Sequence, residues 1–408
     1  MHLLRRRWFA LLVAGEAVNS IGSWTSLIAL WGYAAYRFHA SAGDIALLGL
    51  AWALPAALFG PLMGLPIDRF GPRRVLIVGD IAGAAVALAF LTAHSWERLV
   101  LLGVLSGIIK AITLPAADAL PPRLVDDEDL LAANAVLGAA SDAAIVFGPL
   151  MAAVAIATAG FSAAFVVDAA TFLVGAAVVF SLHERRIPAR ADDGATAWGN
   201  LRAGFRLAAH TPVIRWTLVL SMAVYLTWGT FAVVEPIYVR DVLHASPTVF
   251  ALLQVAFGVG LVSAGLALAR IGDRAGSTGA LATSVILSGL TAGLYIGTRS
   301  EAVAFVGVFL WGVDVAFFAA PSRTLLQRHS PTAAHGRVLA LNRTLHSLGD
   351  LVALPLAGLL AAPLGVQGVA FCVAGIALVG GIVGFVVRPE ATPVVSLPAD
   401  PTRVPSAA

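Results

Sequence analysis

The chain has 408 residues, 59% of them hydrophobic and only 12% charged, with a formal net charge of +3 and a mean hydropathy of +0.89. Soluble globular domains carry about 25% charged residues, so a soluble fold is excluded and a polytopic membrane protein is indicated. The small positive balance comes from loop arginines rather than a nucleic-acid surface, and the single cysteine, Cys372, excludes an intrachain disulfide.

A membrane-spanning helix needs about 20 apolar residues. Twelve such segments can be read, at residues 8–36, 45–67, 75–93, 99–120, 130–158, 162–182, 213–239, 249–269, 279–298, 302–326, 338–362 and 366–387. The first follows Arg5, Arg6 and Arg7, which imitate a signal peptide, but the apolar run is too long and lacks a small-residue cleavage site, so it reads as a retained span. Between the second and third spans, Gly64, Asp68, Arg69, Gly71, Arg73 and Arg74 crowd into a tight charged turn. A weaker copy with Asp273 and Arg274 follows about 205 positions later, which points to an internal repeat. Phe147 to Ala153 likewise aligns with Ala353 to Leu359 at an offset of 206, as do Pro115 with Pro321 and Phe165 with Phe371. Parallel repeats of six spans are one way in which transporters are built.

The stretch 183–212 breaks the apolar pattern and reads as a linker holding a short surface helix, with Trp198, Leu201, Phe205 and Ala208 at helical spacing and Arg202 and Arg206 on another face. Residues 389–408 are rich in Pro and Ala without a core-forming pattern and read as disordered. The domain reading is a six-helix bundle at 1–182, the linker at 183–212, a second six-helix bundle at 213–388 and the tail at 389–408. Only Arg37, Arg98, Arg240 and Arg299 face outward when the N-terminus is placed inside, so both termini are read as cytoplasmic.

Charges at bilayer depth are costly and face a cavity or a partner. Glu16, Asn19, Ser20 and Ser23 share one face of the first span, and Ser106, Lys110 and Thr113 share one of the fourth. Ser221, Tyr225, Trp228 and Glu235 do so in the seventh, Trp311, Asp314 and Phe318 in the tenth, and Arg343, His346 and Asp350 in the eleventh. At about 1.5 Å of rise per residue, Lys110, Asp142, Asp314 and Asp350 lie near midplane and Glu16 about 12 Å from the inner face. Asp80, Asp118 and Arg323 lie closer to the inner surface and read as ion pairs around the loops. Lys110 is the only Lys in the chain; a lysine, unlike an arginine, can give up its proton when desolvated. It reads either as a gating group or as a static partner of Asp142 or Glu16. Tyr225, Trp228, Trp311 and Phe318 are candidate substrate contacts, or alternatively packing.

The run from Gly64 to Leu76 resembles the signature loop between the second and third helices of the major facilitator superfamily. Gly15 to Gly22, Pro122 to Val125, Ala132 to Ala135 and Gly336 to Val338 are similar to the third drug:proton antiporter family, which includes macrolide efflux proteins and the enterobactin exporter. Gly148 and Pro149 resemble the antiporter motif of drug exporters, although the glycine pair that follows in relatives is Ala152 and Ala153 here; a simple helix kink is the other reading. The resemblance implies an all-α membrane protein of twelve transmembrane helices in two six-helix parallel-repeat bundles. It also implies that the first, fourth, seventh and tenth helices line the cavity, and that Asp68 latches onto the start of the eleventh helix. The expected function is proton-coupled export of an amphipathic drug-like or siderophore-like molecule across the cytoplasmic membrane, with proton-coupled uptake as the alternative. The expected partners are the lipid bilayer, a small-molecule substrate and protons, without nucleic acid, and the chain is expected to be a monomer. Without a Walker loop, a metal-ligand cluster or a nucleophile motif, neither an enzyme nor a cofactor nor a metal is expected. An intramembrane enzyme and a non-transporting scaffold or sensor are the readings from other classes.

Overall fold

A computed structural model describes residues 3–59, 64–182, 197–271, 276–331 and 334–389. Among them are thirteen α-helices and no strand. The first half holds α1 (Arg7–Gly32), α2 (Ala42–Phe59), α3 (Gly64–Phe70), α4 (Pro72–Ala89), α5 (Trp96–Asp118), α6 (Asp127–Ala159) and α7 (Phe161–Ser181). The linker helix α8 (Ala197–His210) leads to α9 (Pro212–Asp241), α10 (Pro247–Ile271), α11 (Thr278–Ile296), α12 (Glu301–Arg328) and α13 (His335–Val386).

Nine of the described helices are long and apolar enough to cross a membrane. The 52-residue α13 contains two spans, because it bends at Gly365, whose φ of 70° lies in the left-handed region that glycine tolerates. With α1 and the shorter α2, whose polar content or length sets them apart, the twelve spans read from the sequence are all present. The second span is described as Ala42–Phe59 and, beyond residues outside the described set, Gly64–Phe70.

Local signals set several starts. Ser41 and Asp44 form a reciprocal cap at the head of α2, with Ser41 N 2.9 Å from Asp44 Oδ2 and Asp44 N 3.2 Å from Ser41 Oγ. Pro72 opens α4 after Gly71, which has φ 83°. Ser95 and Ser277 cap α5 and α11 by accepting from Arg98 N and Ala280 N. The three serine caps each pair amides in the first turn of the helix they open.

The helix α8, the short α3 and the start of α13 lie at one end of the bundle, here the linker end; the other is the far end. The halves meet where α2 crosses α13 and α6 crosses α10, and both crossings use glycines. A Cβ on Gly49 would stand 2.9 Å from Leu354, and one on Gly358 2.8 Å from Ala46. Gly258 of α10 lies against the backbone of α6, where a Cβ would stand 2.9 Å from Ile145 O. That carbonyl is the one freed by Pro149, which has no N–H to donate to it. The α6 helix nevertheless runs unbroken through Pro149, and Thr25 Oγ1 of α1 donates to Gly148 O at 3.0 Å. The Gly148–Pro149 step is therefore where α6 touches both α1 and α10.

The largest buried apolar cluster draws residues from both halves, and all of it lies at the far end: Ile28, Leu30 and Phe165 from the first half, Phe231, Tyr238 and Trp311 from the second. At the linker end the clusters are separate. One contains only first-half residues such as Phe9, Leu76 and Leu120; two others contain only residues after α7, such as Val213, Phe318 and Leu341. The bundle is closed at the far end and parted at the linker end. The α8 helix packs on the start of α13, where a Cβ on Gly204 would stand 3.0 Å from Arg337 O; Arg202, Phe205 and Arg206 face outward.

Candidate functional site

A cavity of about 980 Å³ opens between the parted halves. It reaches the linker end at Asp118 and Pro121 and ends below the far-end core at Leu30 and Phe90. Its first-half wall carries a polar strip along α1, namely Glu16, Asn19, Ser20, Ser23 and Ser26. The strip follows from the i, i+3, i+7 spacing of these residues on one helical face. Facing it from the second half are Arg343, His346 and Asp350 of α13.

Glu16 is held by two hydroxyls: Ser20 Oγ donates to Glu16 Oε1 at 3.1 Å and Ser141 Oγ donates to the same oxygen at 3.2 Å. This ties α1 to α6 at the cavity wall. Asp80 of α4 is buried beside Asn19 and also lines the cavity, which places it in the site rather than among loop ion pairs. Lys110 departs from expectation in its partner. Its Nζ lies 4.2 Å from the ring centroid of Trp52, and it forms no ion pair with Asp142 or Glu16 among the described residues. A cation–π contact is worth about 0.5–2 kcal/mol and leaves the ammonium facing the cavity. Asp142 is exposed, and the charge it senses is Arg323, from the other half.

On the opposite wall His346 Nε2 is 3.8 Å from Asp350 Oδ2, and the His346 ring stacks on Tyr225 at 4.5 Å. Trp228 meets the same ring at 5.4 Å and Phe318 at 5.8 Å, while Tyr225 OH donates to Asn342 Oδ1 at 3.0 Å. Three of the four aromatic candidates thus form one cluster behind His346, with Tyr225 and Phe318 only 4% and 1% exposed. The fourth, Trp311, packs on Phe231 at 4.5 Å inside the far-end core. Asp314 is buried as well, toward Ser288 of α11, and neither of its carboxyl oxygens has a hydrogen-bond partner within bonding distance among the described residues. The tenth-span stripe therefore faces other helices in this state, and α13 supplies the second-half wall. The physical reason is that a stripe at helical spacing specifies a shared face but not the neighbour it meets.

At the linker end Asp68 and Arg69 are exposed, and Asp68 has no hydrogen bond or ion pair among the described residues. Arg73 instead braces its own half: Nε donates to Val179 O at 3.0 Å, Nη2 donates to Phe180 O, and the guanidinium lies over the Phe180 ring at 5.6 Å. A cation on the last carbonyls of α7 is favoured by the helix dipole. Arg74 is exposed; Asp273 and Arg274 lie outside the described residues.

The far end is sealed by groups that sequence reading passed over. Arg240 of α9 donates through Nη1 to Ala35 O at 2.5 Å and to Ala40 O at 3.1 Å, across the seam. Both carbonyls lie around the π-helical turn Tyr33–Arg37 that ends α1. Asp241 grips the same guanidinium at 2.6 and 2.7 Å, and Tyr36 OH donates to Ala245 O at 2.9 Å. Also passed over was Asp168, although a lone charge in an otherwise apolar sixth span was a visible signal.

The family model of the Major Facilitator Superfamily matches residues 12–224 and again residues 217–408. The MFS-type transporter YfiS of Bacillus subtilis, itself uncharacterised, is 24% identical over 90% of each chain. Macrolide efflux protein A of Streptococcus pyogenes is 22% identical over 88% of this chain and 90% of its own. Among solved structures, the nucleoside transporter NupG in a mutant form superposes with a TM-score of 0.74 at 12% identity, over 94% of this chain and 100% of that one.

Proposed function

The chain belongs to the Major Facilitator Superfamily, and from that premise we propose that it is a proton-coupled secondary transporter exporting an amphipathic small molecule by alternating access. Membership makes it a multi-pass membrane protein with a small-molecule substrate; coupling, direction and substrate class are our reading. One observation carries it. A cavity of about 980 Å³ lies on the seam between the halves, reached from the linker end and stopped by a two-half core at the far end, which is the shape of one state of an alternating-access cycle.

The arginine bias supports placing the linker end and both termini in the cytoplasm, so this state would accept cargo from inside. A cavity wall that mixes Glu16, Asp80, Lys110 and Trp52 suits a molecule with both charged and ring-bearing parts, of drug-like or siderophore-like kind. The relation to a macrolide efflux protein supports export. In this reading residues 1–182 and 213–388 are the two moving bundles of a monomer, joined by 183–212.

The test is accumulation of a labelled macrolide and of a labelled catecholate siderophore in cells with and without the protein, with and without a protonophore. Lower accumulation in expressing cells, abolished by the protonophore, is the expected result. Higher accumulation in expressing cells would reverse the direction to uptake, and insensitivity to the protonophore would remove the coupling.

A further inference from the structure

The acids on the cavity wall differ in what satisfies them. Glu16 accepts two hydroxyl hydrogen bonds, Asp350 lies 3.8 Å from His346, and Asp118 is exposed near the open mouth. Asp168 of α7 has neither an ion pair nor two hydroxyls among the described residues: the Ser26 hydroxyl of α1 is its one side-chain support. Asp168 is 4% exposed, and its Oδ1 is enclosed without a hydrogen-bond partner among the described residues.

The charged groups around it offer no compensation. The α1 and α4 helices, which pack on α7, bring Glu16 and Asp80, both acids, to the same wall. Asp142 of α6 is turned toward Arg323, and Lys110 of α5 stands over Trp52. Removing a carboxylate from water without a partner costs several kcal/mol. An acid kept in such a place inside a membrane protein marks a relay or transport position more often than a structural one.

Its position in the cavity gives that acid a task. Phe165, three residues before Asp168 and about 4.5 Å nearer the far end along α7, stacks on Phe90 at 4.8 Å and meets Tyr33 at 6.0 Å. Phe90 lines the inner end of the cavity with Phe165 packed on it and Tyr33 on Phe165, and Asp168 lines the same cavity. From the open mouth the α1 strip of Glu16, Asn19, Ser23 and Ser26 leads to it over about 15 Å of helix rise. A proton arriving by the open cavity reaches Asp168 last, and one leaving when the far end opens departs from it first.

We propose that Asp168 is the group that carries the coupled proton, loaded through the cavity in this state and discharged past the Phe90–Phe165–Tyr33 rings when the far end opens. This rests on the proton-coupled reading above and assigns its carrier. The step is reversible association of a proton with one carboxylate oxygen, with no other bond made or broken.

Infrared difference spectroscopy on the full chain reconstituted in lipid vesicles, stepped between acidic and alkaline buffer, reads the carrier without needing a substrate. Wild type should show the C=O stretch of a carboxyl that gains and loses a proton. Asp168→Asn should lose that component, Asp168→Glu should retain it at a shifted frequency, and Glu97→Gln, at an exposed acid outside the cavity, should leave it in place. Spectra of Asp168→Asn and Asp168→Glu that both match wild type would overturn the assignment. If Asp168→Asn fails to fold, the frequency shift in Asp168→Glu decides alone. Transport separates this from the broader reading. Export of a macrolide that ignores a protonophore in wild type removes the coupling reading. Export that is protonophore-sensitive in wild type and equally so in Asp168→Asn removes only the assignment to Asp168.

Discussion

The two ends of the bundle hold the halves by opposite means. At the far end a cation, Arg240, reaches across the seam to the carbonyl of Ala35, in the turn that ends α1, and to that of Ala40 just before α2, over a core that both halves share. At the linker end the cores are separate and an anion, Asp68, is exposed, with no partner among the described residues. Helix polarity explains the choice of sign. The far-end grip falls where a helix ends, with unpaired carbonyls, and the linker-end acid lies at the same end of the bundle as the start of α13, whose first amides are unpaired. One end is latched and the other is set to latch, so each charge should control the population of a different state.

The largest effect is expected from Arg240→Ala. Hydrogen bonds to a charged group contribute about 1.5–3 kcal/mol each, so losing two should shift the balance toward a far-end-open state by about tenfold or more. Spin labels at His94 and Arg299, both exposed and on opposite halves at the far end, in a Cys372→Ser background, should report a longer distance population. An unchanged distribution would mean that the apolar core alone keeps the far end shut.

Asp68→Asn should act in the opposite sense and more weakly. A charge at a helix terminus is worth about 0.3–2 kcal/mol, and it acts only when the linker end closes. Transport should slow, molecules open at the linker end should be enriched several-fold, and labels at Leu65 and Ala340 should report fewer short distances. Substrate affinity of the open state should be retained. Combining Asp68→Asn with Arg240→Ala should move the populations back toward wild type, because the two charges favour opposite states. If the double variant shows only the Arg240→Ala distribution, Asp68 has no latching role.

Lys110→Met probes the cavity between the two ends. It keeps the length of the side chain over Trp52 and removes the cation, whose contact with the ring is worth about 0.5–2 kcal/mol. Trp52 fluorescence should change, and the shift in binding of a charged substrate should have the sign of that substrate's charge: weaker for an anion, tighter for a cation. Identical binding of both would place Lys110 outside the cargo path.

How much of this was readable beforehand depended on what each residue interacts with. The twelve spans were legible because apolar runs are bounded by Gly, Pro and Arg, whose effect on a helix is local. The α1 strip from Glu16 to Ser26 was partly legible, because spacing alone assigns it one face. The Trp311–Asp314–Phe318 stripe was equally visible but its neighbour was not, since α11, α9 and the cavity are all sterically possible partners for one face of α12. Asp168 was legible as the only charge in its span. Arg240 was not, because it binds main-chain carbonyls, and a carbonyl has no residue identity to find in a sequence. The Pro149 step was visible as a kink and silent about Gly258, which sits 109 positions away and meets the freed carbonyl only in the folded bundle.

The smallest expected effect sharpens the far-end latch most. Tyr36→Phe removes one hydroxyl, the donor to Ala245 O at 2.9 Å, and leaves the ring and its packing. A neutral hydrogen bond contributes about 0.5–1.5 kcal/mol, so the far-end-open population should rise by about two- to tenfold, in the same direction as Arg240→Ala and by less. The acceptor carbonyl of Ala245 also receives no charge-assisted bond, whereas Ala35 and Ala40 do. If charge at the helix end is the cause, raising the salt concentration should weaken the Arg240 grip and leave the Tyr36 contribution unchanged. Far-end distances measured in wild type and Tyr36→Phe at low and high salt decide this. A constant difference between the two proteins across salt assigns Tyr36 a neutral, additive role. A difference that disappears with salt would mean that Tyr36 acts only by holding the α1 turn in place for Arg240.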